Sequence, residues 1–154
     1  MYNYHMNLVI NENQFDISKI YYTQPIQNIV MDNGQFVKLI FSNENVTVSG
    51  IYLLLQLKIT HKESYFKKIK LTYDIHTNRE LLHKLYEMEN QILTKYGNSK
   101  KHRKIIFETF STGVIKLFPT TEPVVNTHNS YILKISGLWE NDIECGLTYK
   151  LLCI

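Results

Sequence analysis

Four cations and an imidazole follow one another in Lys100-Lys101-His102-Arg103-Lys104, a pattern suited to holding phosphate oxygens. The charge around this run is uneven. Residues 61–104 carry eleven Lys or Arg against five Asp or Glu, while the rest of the chain carries six against nine. A basic middle between mildly acidic flanks is the electrostatic footprint expected for a polyanion, although a solvated lysine-rich surface has the same composition. Gripping a single strand also needs aromatic faces on which bases stack. Tyr65 and Phe66 fall in a predicted loop beside Lys62, Lys67 and Lys68. The expected nucleic-acid-binding set is therefore Lys62, Tyr65, Phe66, Lys68, Lys70, Lys100, Lys101, Arg103 and Lys104, with the main phosphate contacts at residues 97–104.

Other chemistry finds little support. There is no Gly-rich phosphate loop, no Gly-x-Ser-x-Gly elbow and no His-Glu-x-x-His motif, so neither catalysis nor a cofactor is expected. Of the six histidines, His76 and His83 lie seven residues apart, on one face of a predicted helix, but no carboxylate or Cys spacing completes a metal site. Glu140, Asp142 and Glu144 are spaced as the acids of a nuclease can be; a solvated turn explains the same spacing. Cys145 and Cys153 match no zinc pattern, and two packed, reduced thiols are expected rather than a disulfide. Residues 1–10 lack a secretory pattern, and the longest apolar run, residues 51–55, is too short to cross a bilayer. The expectation is a soluble, intracellular protein without a membrane partner.

The elements that must position these groups are mostly strands. With 154 residues the chain is expected to form one domain, burying about 70% of its unfolded surface. Residues 6–10 and 15–22 read as strands of an N-terminal extension over residues 1–30. Asp32-Asn33-Gly34 is a turn, and residues 36–41 alternate as a strand. Residues 46–59 form a longer strand in which Gly50 marks a bulge or bend. Residues 68–75 alternate with Ile69, Leu71, Tyr73 and Ile75 on one side and Lys68, Lys70, Thr72 and Asp74 on the other, the period of a half-buried strand.

Thr77-Asn78-Arg79-Glu80 reads as a capping box. It opens a helix over residues 78–96 whose stripe is Leu81, Leu85, Met88, Ile92 and Tyr96, closed by Gly97. Residues 105–110 and 114–118 are predicted as strands, 119–129 as a loop, and 131–139 with 147–153 as a hairpin in which Tyr131, Leu133, Ile135 and Trp139 share a face. Strands, one helix and then strands again predict a mostly β, α+β protein. The order is that of an OB-fold-like five-stranded Greek-key barrel over residues 35–154 with N-terminal strand additions. A mixed sheet with the helix across one face fits the same pattern.

The stretch Tyr131-Ile132-Leu133-Lys134-Ile135-Ser136-Gly137-Leu138-Trp139-Glu140, followed by Gly146-Leu147-Thr148-Tyr149-Lys150, resembles the C-terminal hairpin of small proteins encoded by large double-stranded DNA viruses. Some of these are similar to phage-type single-stranded DNA-binding proteins with an OB-fold. The resemblance implies binding of single-stranded DNA during replication. The chain has no Ala and only two Arg against fifteen Lys, which agrees with an A/T-rich viral genome. Phage-type members end in a flexible acidic tail with a terminal aromatic. This sequence ends Leu151-Leu152-Cys153-Ile154 within a predicted strand, so recruitment through such a tail does not carry over. The expected partner is single-stranded DNA or RNA, with self-association through strand edges left open. The alternative from another class is a viral structural or assembly protein, a docking module without catalytic activity.

Overall fold

A computed structural model of the chain describes residues 9–27, 34–117 and 130–153. The expected turn at residues 32–34, the loop at 119–129 and most of the first strand lie outside the described residues. The strands are β1 Val9–Asn11, β2 Ile20–Tyr22, β3 Ile26–Gln27, β4 Gln35–Ser42, β5 Thr47–Ser49, β6 Ile51–Gln56, β7 Ile59–Tyr65, β8 Lys68–Tyr73, β9 Lys101–Arg103, β10 Val114–Leu117, β11 Ser130–Glu140 and β12 Glu144–Cys153. Helix α1, Arg79–Tyr96, lies between β8 and β9, and helix α2, Ile105–Phe110, between β9 and β10. The protein is thus mostly β, as its alternating patterns predict.

The strands hydrogen-bond into two open, mixed sheets: one of nine strands, and one of three in the order β10-β8-β7. No hydrogen-bonded circuit closes among the described residues. The nine-stranded sheet is organised by β11, which pairs with β12 along one edge and divides its other edge between two partners. Ser130 to Ile135 pair with β6, and Gly137 to Glu140 pair with β4. The switch falls at an irregularity between Ile135 and Gly137. There the backbone of β4 comes so close that a Cβ on Gly137 would stand 2.4 Å from Val37 O. Gly50 performs the matching switch between β5, which pairs with β4, and β6, which pairs with β11, at a φ of 92° that other residues rarely adopt. Its N–H donates to Leu39 O at 2.7 Å just where the chain leaves β4 and continues beside β11. The Gly50 bend expected within residues 46–59 is thus a change of strand partner.

The bulge also corrects one face assignment. Tyr131, Leu133 and Ile135 are buried together, but beyond Ser136 the alternation slips by one, so Leu138 is buried and Trp139 is only half-buried. An inserted residue reverses every later side chain.

Helix α1 matches its stripe: Leu81, Leu85, Met88 and Ile92 are buried, with Leu82 and Leu93 beside them, and Gly97 closes it at φ 71°. The capping box does not form. Asn78 occupies the N-cap and makes no side-chain cap. Its carboxamide instead accepts from Lys58 N–H at 2.9 Å and donates to Lys58 O and Asp74 O at 3.1 and 2.9 Å. A buried amide must satisfy its own donors and acceptor, and here it stitches the β6–β7 connection to the start of the helix.

Two predicted strands are replaced by helical turns. Ile17–Lys19 is a 3-10 turn capped by Asp16, leaving only β2 extended. Residues 105–110 form α2 because Glu89, fully buried in α1, accepts the N–H groups of Ile106 and Phe107 at 2.9 and 3.0 Å. A cap supplied from sixteen or more residues away overrides local β preference. Within the expected N-terminal extension, residues 17–20 are tied into the core. Ile20 is fully buried, and Lys95 donates to Ile17 O and Ile20 O at 2.9 and 2.8 Å. Both sheets and both helices contribute to one cluster of buried apolar residues.

Candidate nucleic-acid interface

The three-stranded sheet sorts its residues by strict alternation. Ile69, Leu71 and Tyr73 of β8 face the core with Ile115 and Leu117 of β10, and the Tyr73 hydroxyl donates to Phe110 O at 2.5 Å. The other face carries Lys68, Lys70 and Thr72. Antiparallel register places Tyr65 opposite Lys68, Glu63 opposite Lys70 and His61 opposite Thr72 on one side, and Lys116 opposite Lys70 on the other. That outer face therefore presents three lysines and a tyrosine. Its one carboxylate, Glu63, is 2.9 Å from His61 Nε2. Lys70 and Lys116 stand directly across the ladder from each other, a like-charge pairing that disfavours the fold and that a bound anion relieves. Lys62 is exposed but falls on the opposite face, across from Leu71.

β7 is an edge strand, exposed from Thr60 to Tyr65. It is joined to β8 through Phe66 and Lys67. Two-residue hairpin turns favour Asn or Gly because positive φ is required. Phe66 takes φ 51° instead and is completely exposed, while Tyr65 is 42% exposed. A large apolar side chain in a left-handed turn, touching nothing, contributes no packing to the fold.

The run at residues 100–104 is used differently. β9 pairs in parallel with Glu144, Cys145 and Gly146 of β12, forming the outer edge of the nine-stranded sheet. Lys100 Nζ donates to Asn141 O. The Arg103 guanidinium lies between Glu144 at 3.4 Å and Glu108 at 3.7 Å, and Lys104 Nζ sits 5.1 Å from the centre of the Tyr86 ring. Lys101 is exposed. The structure thus brings Tyr65, Phe66, Lys68 and Lys70 together on one hairpin and sets Lys100, Lys101, Arg103 and Lys104 in a different sheet, where three of the four side chains contact the protein itself.

Lys116 belongs with the first group. Its place is decided by the pairing of β10 with β8 across forty residues of chain, which local alternation does not encode.

Three other chemistry-bearing groups, Glu140, Glu144 and Cys145, are turned into the protein. Glu140, 8% exposed, accepts from Asn98 Nδ2 at 2.8 Å; Glu144 faces Arg103. Cys145 is buried and free, and burial pushes its thiol pKa up, away from the thiolate a nucleophile needs. Among the described residues, no three of His, Cys, Asp and Glu are grouped to hold a metal ion. Nor is any described helix long and apolar enough to cross a membrane. No protein-family model matches the sequence, no curated protein matches it, and no solved structure matches the chain.

Proposed function

We propose that this chain binds single-stranded nucleic acid, DNA ahead of RNA, without sequence preference and without catalysing a reaction. The observation that carries this reading is the β7–β8 hairpin: a fully exposed Phe66 and a half-exposed Tyr65 at its tip, above an outer face holding Lys68, Lys70 and Lys116. Lysines supply sequence-independent attraction to phosphates, and aromatic faces accept any base. Lys101 and its neighbours add positive potential on the other sheet. The resemblance of residues 131–140 and 146–150 to a hairpin of small proteins from large double-stranded DNA viruses, some of them similar to phage-type single-stranded DNA-binding proteins, agrees with this reading.

An OB-type barrel is the finer architecture that accompanies this reading. In its favour are the partner switches at Gly50 and Ser136, of the kind that turn barrel corners. The free ends of the nine-stranded sheet at β1 and β9 weigh against it.

Fluorescence anisotropy with a labelled oligonucleotide, titrated with salt, tests the proposal. Affinity should fall log-linearly with a slope of about −2, since three lysines neutralise phosphates at about −0.7 each. Absence of binding at low salt overturns it. The exposed β7 edge favours one second reading, a docking module that adds a partner's strand to its own sheet. That reading predicts no oligonucleotide binding and a complex that persists at high salt.

A further inference from the structure

The connection between β8 and α1, the first turns of α1 and one side of α2 border an open pocket of about 470 Å³, within the range of about 300–1,000 Å³ that small-molecule sites occupy. It lies on the other side of α1 from the buried stripe and takes no part in the hairpin surface. Its walls are of two kinds. Ile75, Leu82, Tyr86 and Phe107 form an apolar side. Tyr86 and Phe107 meet edge to face there, with ring centres 5.0 Å apart.

The polar wall is one of donors. Arg79, His76 and His83 line it, and none of the lining residues is acidic; of the acids beside it, Glu87 is held by His83 at 2.9 Å and the Asp74 carboxylate accepts from the His76 backbone N–H at 2.7 Å. The side chains of Arg79 and His76 have no hydrogen-bond or ion-pair partner among the described residues. Arg79 also stands at the positive end of an 18-residue helix, and Lys104 lies over the Tyr86 ring at the rim. Ser111 lines the same pocket, and its hydroxyl is the buried side-chain polar atom without a hydrogen-bond partner among the described residues. Native proteins leave few such groups unmatched.

We propose that this pocket binds a small organic phosphate. Its flat aromatic body lies against Tyr86 and Phe107, and its phosphate is gripped by the fork of Arg79 with help from His76. A planar guanidinium matches two phosphate oxygens at once, and the adjoining ring edge and face take an aromatic group in offset contact. A neutral apolar ligand would leave the cations unpaired; a bare anion would leave the aromatic wall wet.

Phenyl phosphate and inorganic phosphate, titrated separately against the full chain and followed by amide chemical shifts, test the inference. Phenyl phosphate should saturate at millimolar concentration and shift residues 75–86 and 105–111. Inorganic phosphate should bind about tenfold more weakly. Arg79→Gln should weaken phenyl phosphate about tenfold, and Arg79→Lys, which keeps the charge but loses the fork, should weaken it less. Tyr86→Ala should weaken phenyl phosphate and leave inorganic phosphate unchanged. No saturable shift, equal affinity for the two probes, or an Arg79→Gln protein that binds phenyl phosphate normally overturns the proposal. Oligonucleotide affinity should be indifferent to Arg79→Gln, so this pocket and the hairpin surface fail or stand separately.

Discussion

Lys68 and Lys70 of β8 stand on the solvent face of an edge hairpin, beside a turn that leaves Phe66 bare. Lys100, Arg103 and Lys104 instead reach back into the protein, to Asn141 O, to Glu144 and Glu108, and to the Tyr86 ring, and of this run Lys101 is left exposed. In sequence the second segment is the more concentrated charge; in the fold it is a seam joining the exit of α1 to β12. A charge already matched by a protein carboxylate has little attraction left for a phosphate. Density of charge along a chain is therefore a poor guide to which cations the fold leaves on its solvent-facing surface.

The contrast can be tested first at the element that anchors the seam. Glu89→Ala leaves the buried N–H groups of Ile106 and Phe107 without an acceptor, and urea denaturation should show a loss of about 2–6 kcal/mol, at about 1–3 for each group. A loss below about 1 kcal/mol would mean that α2 does not depend on this cap. Burial is the largest influence on Glu89 and raises its pKa above the ordinary carboxylate value. A raised folded-state pKa favours the folded protein most below the unfolded pKa, and that advantage disappears as pH rises through the folded value. The stability of the natural protein relative to Glu89→Gln should therefore increase on acidification from neutral pH, which paired denaturation curves can read.

At the hairpin, Phe66→Gly should weaken oligonucleotide binding by about 1–3 kcal/mol, the worth of one stacked base. Its melting temperature should hold or rise, because Gly accepts the positive φ that Phe66 endures. A fall in melting temperature with unchanged binding would reverse the roles assigned to the two regions. Charge reversal of Lys100, Lys101 and Arg103 together should do the opposite. It places carboxylates opposite Glu144 and Glu108, and calorimetry should show a loss of about 1–2 kcal/mol of stability with a smaller effect on binding than Phe66→Gly. The finest test is Lys116→Gln. It should reduce the salt slope by about 0.7 and raise stability by roughly 0.2–1 kcal/mol as the pairing with Lys70 is relieved.

Much of this was legible along the chain. The alternation expected over residues 68–75 separates core from surface as far as Tyr73, where β8 ends and leaves Ile75 39% exposed; Leu81, Leu85, Met88 and Ile92 are the buried side of α1, and Gly50 is where the strand bends. Legibility failed wherever a distant group supplied the deciding contact. Asn78 is drawn away from capping by Lys58, residues 105–110 are made helical by Glu89, and Trp139 is turned outward by a bulge that exists because β11 changes partners. In the candidate site the same division holds. The alternation puts Lys68 and Lys70 on one face, but the loop expected around Lys62, Tyr65 and Phe66 is strand β7 as far as Tyr65, and only its pairing with β8 places Lys62 on the opposite face, as that of β10 places Lys116 next to Lys70.

What the sequence by itself determined is local: which side of each strand and helix is apolar, where turns fall, and that cations crowd the middle of the chain. These follow from side-chain periodicity and backbone preference, which need only neighbouring residues. Only the tertiary structure decided which strands pair, which helix is capped from afar and which cations are met by the protein's own carboxylates and carbonyls. Those outcomes depend on hydrogen bonds and ion pairs between residues tens of positions apart, and a carboxylate such as Glu144 neutralises Arg103 only after folding has brought them together.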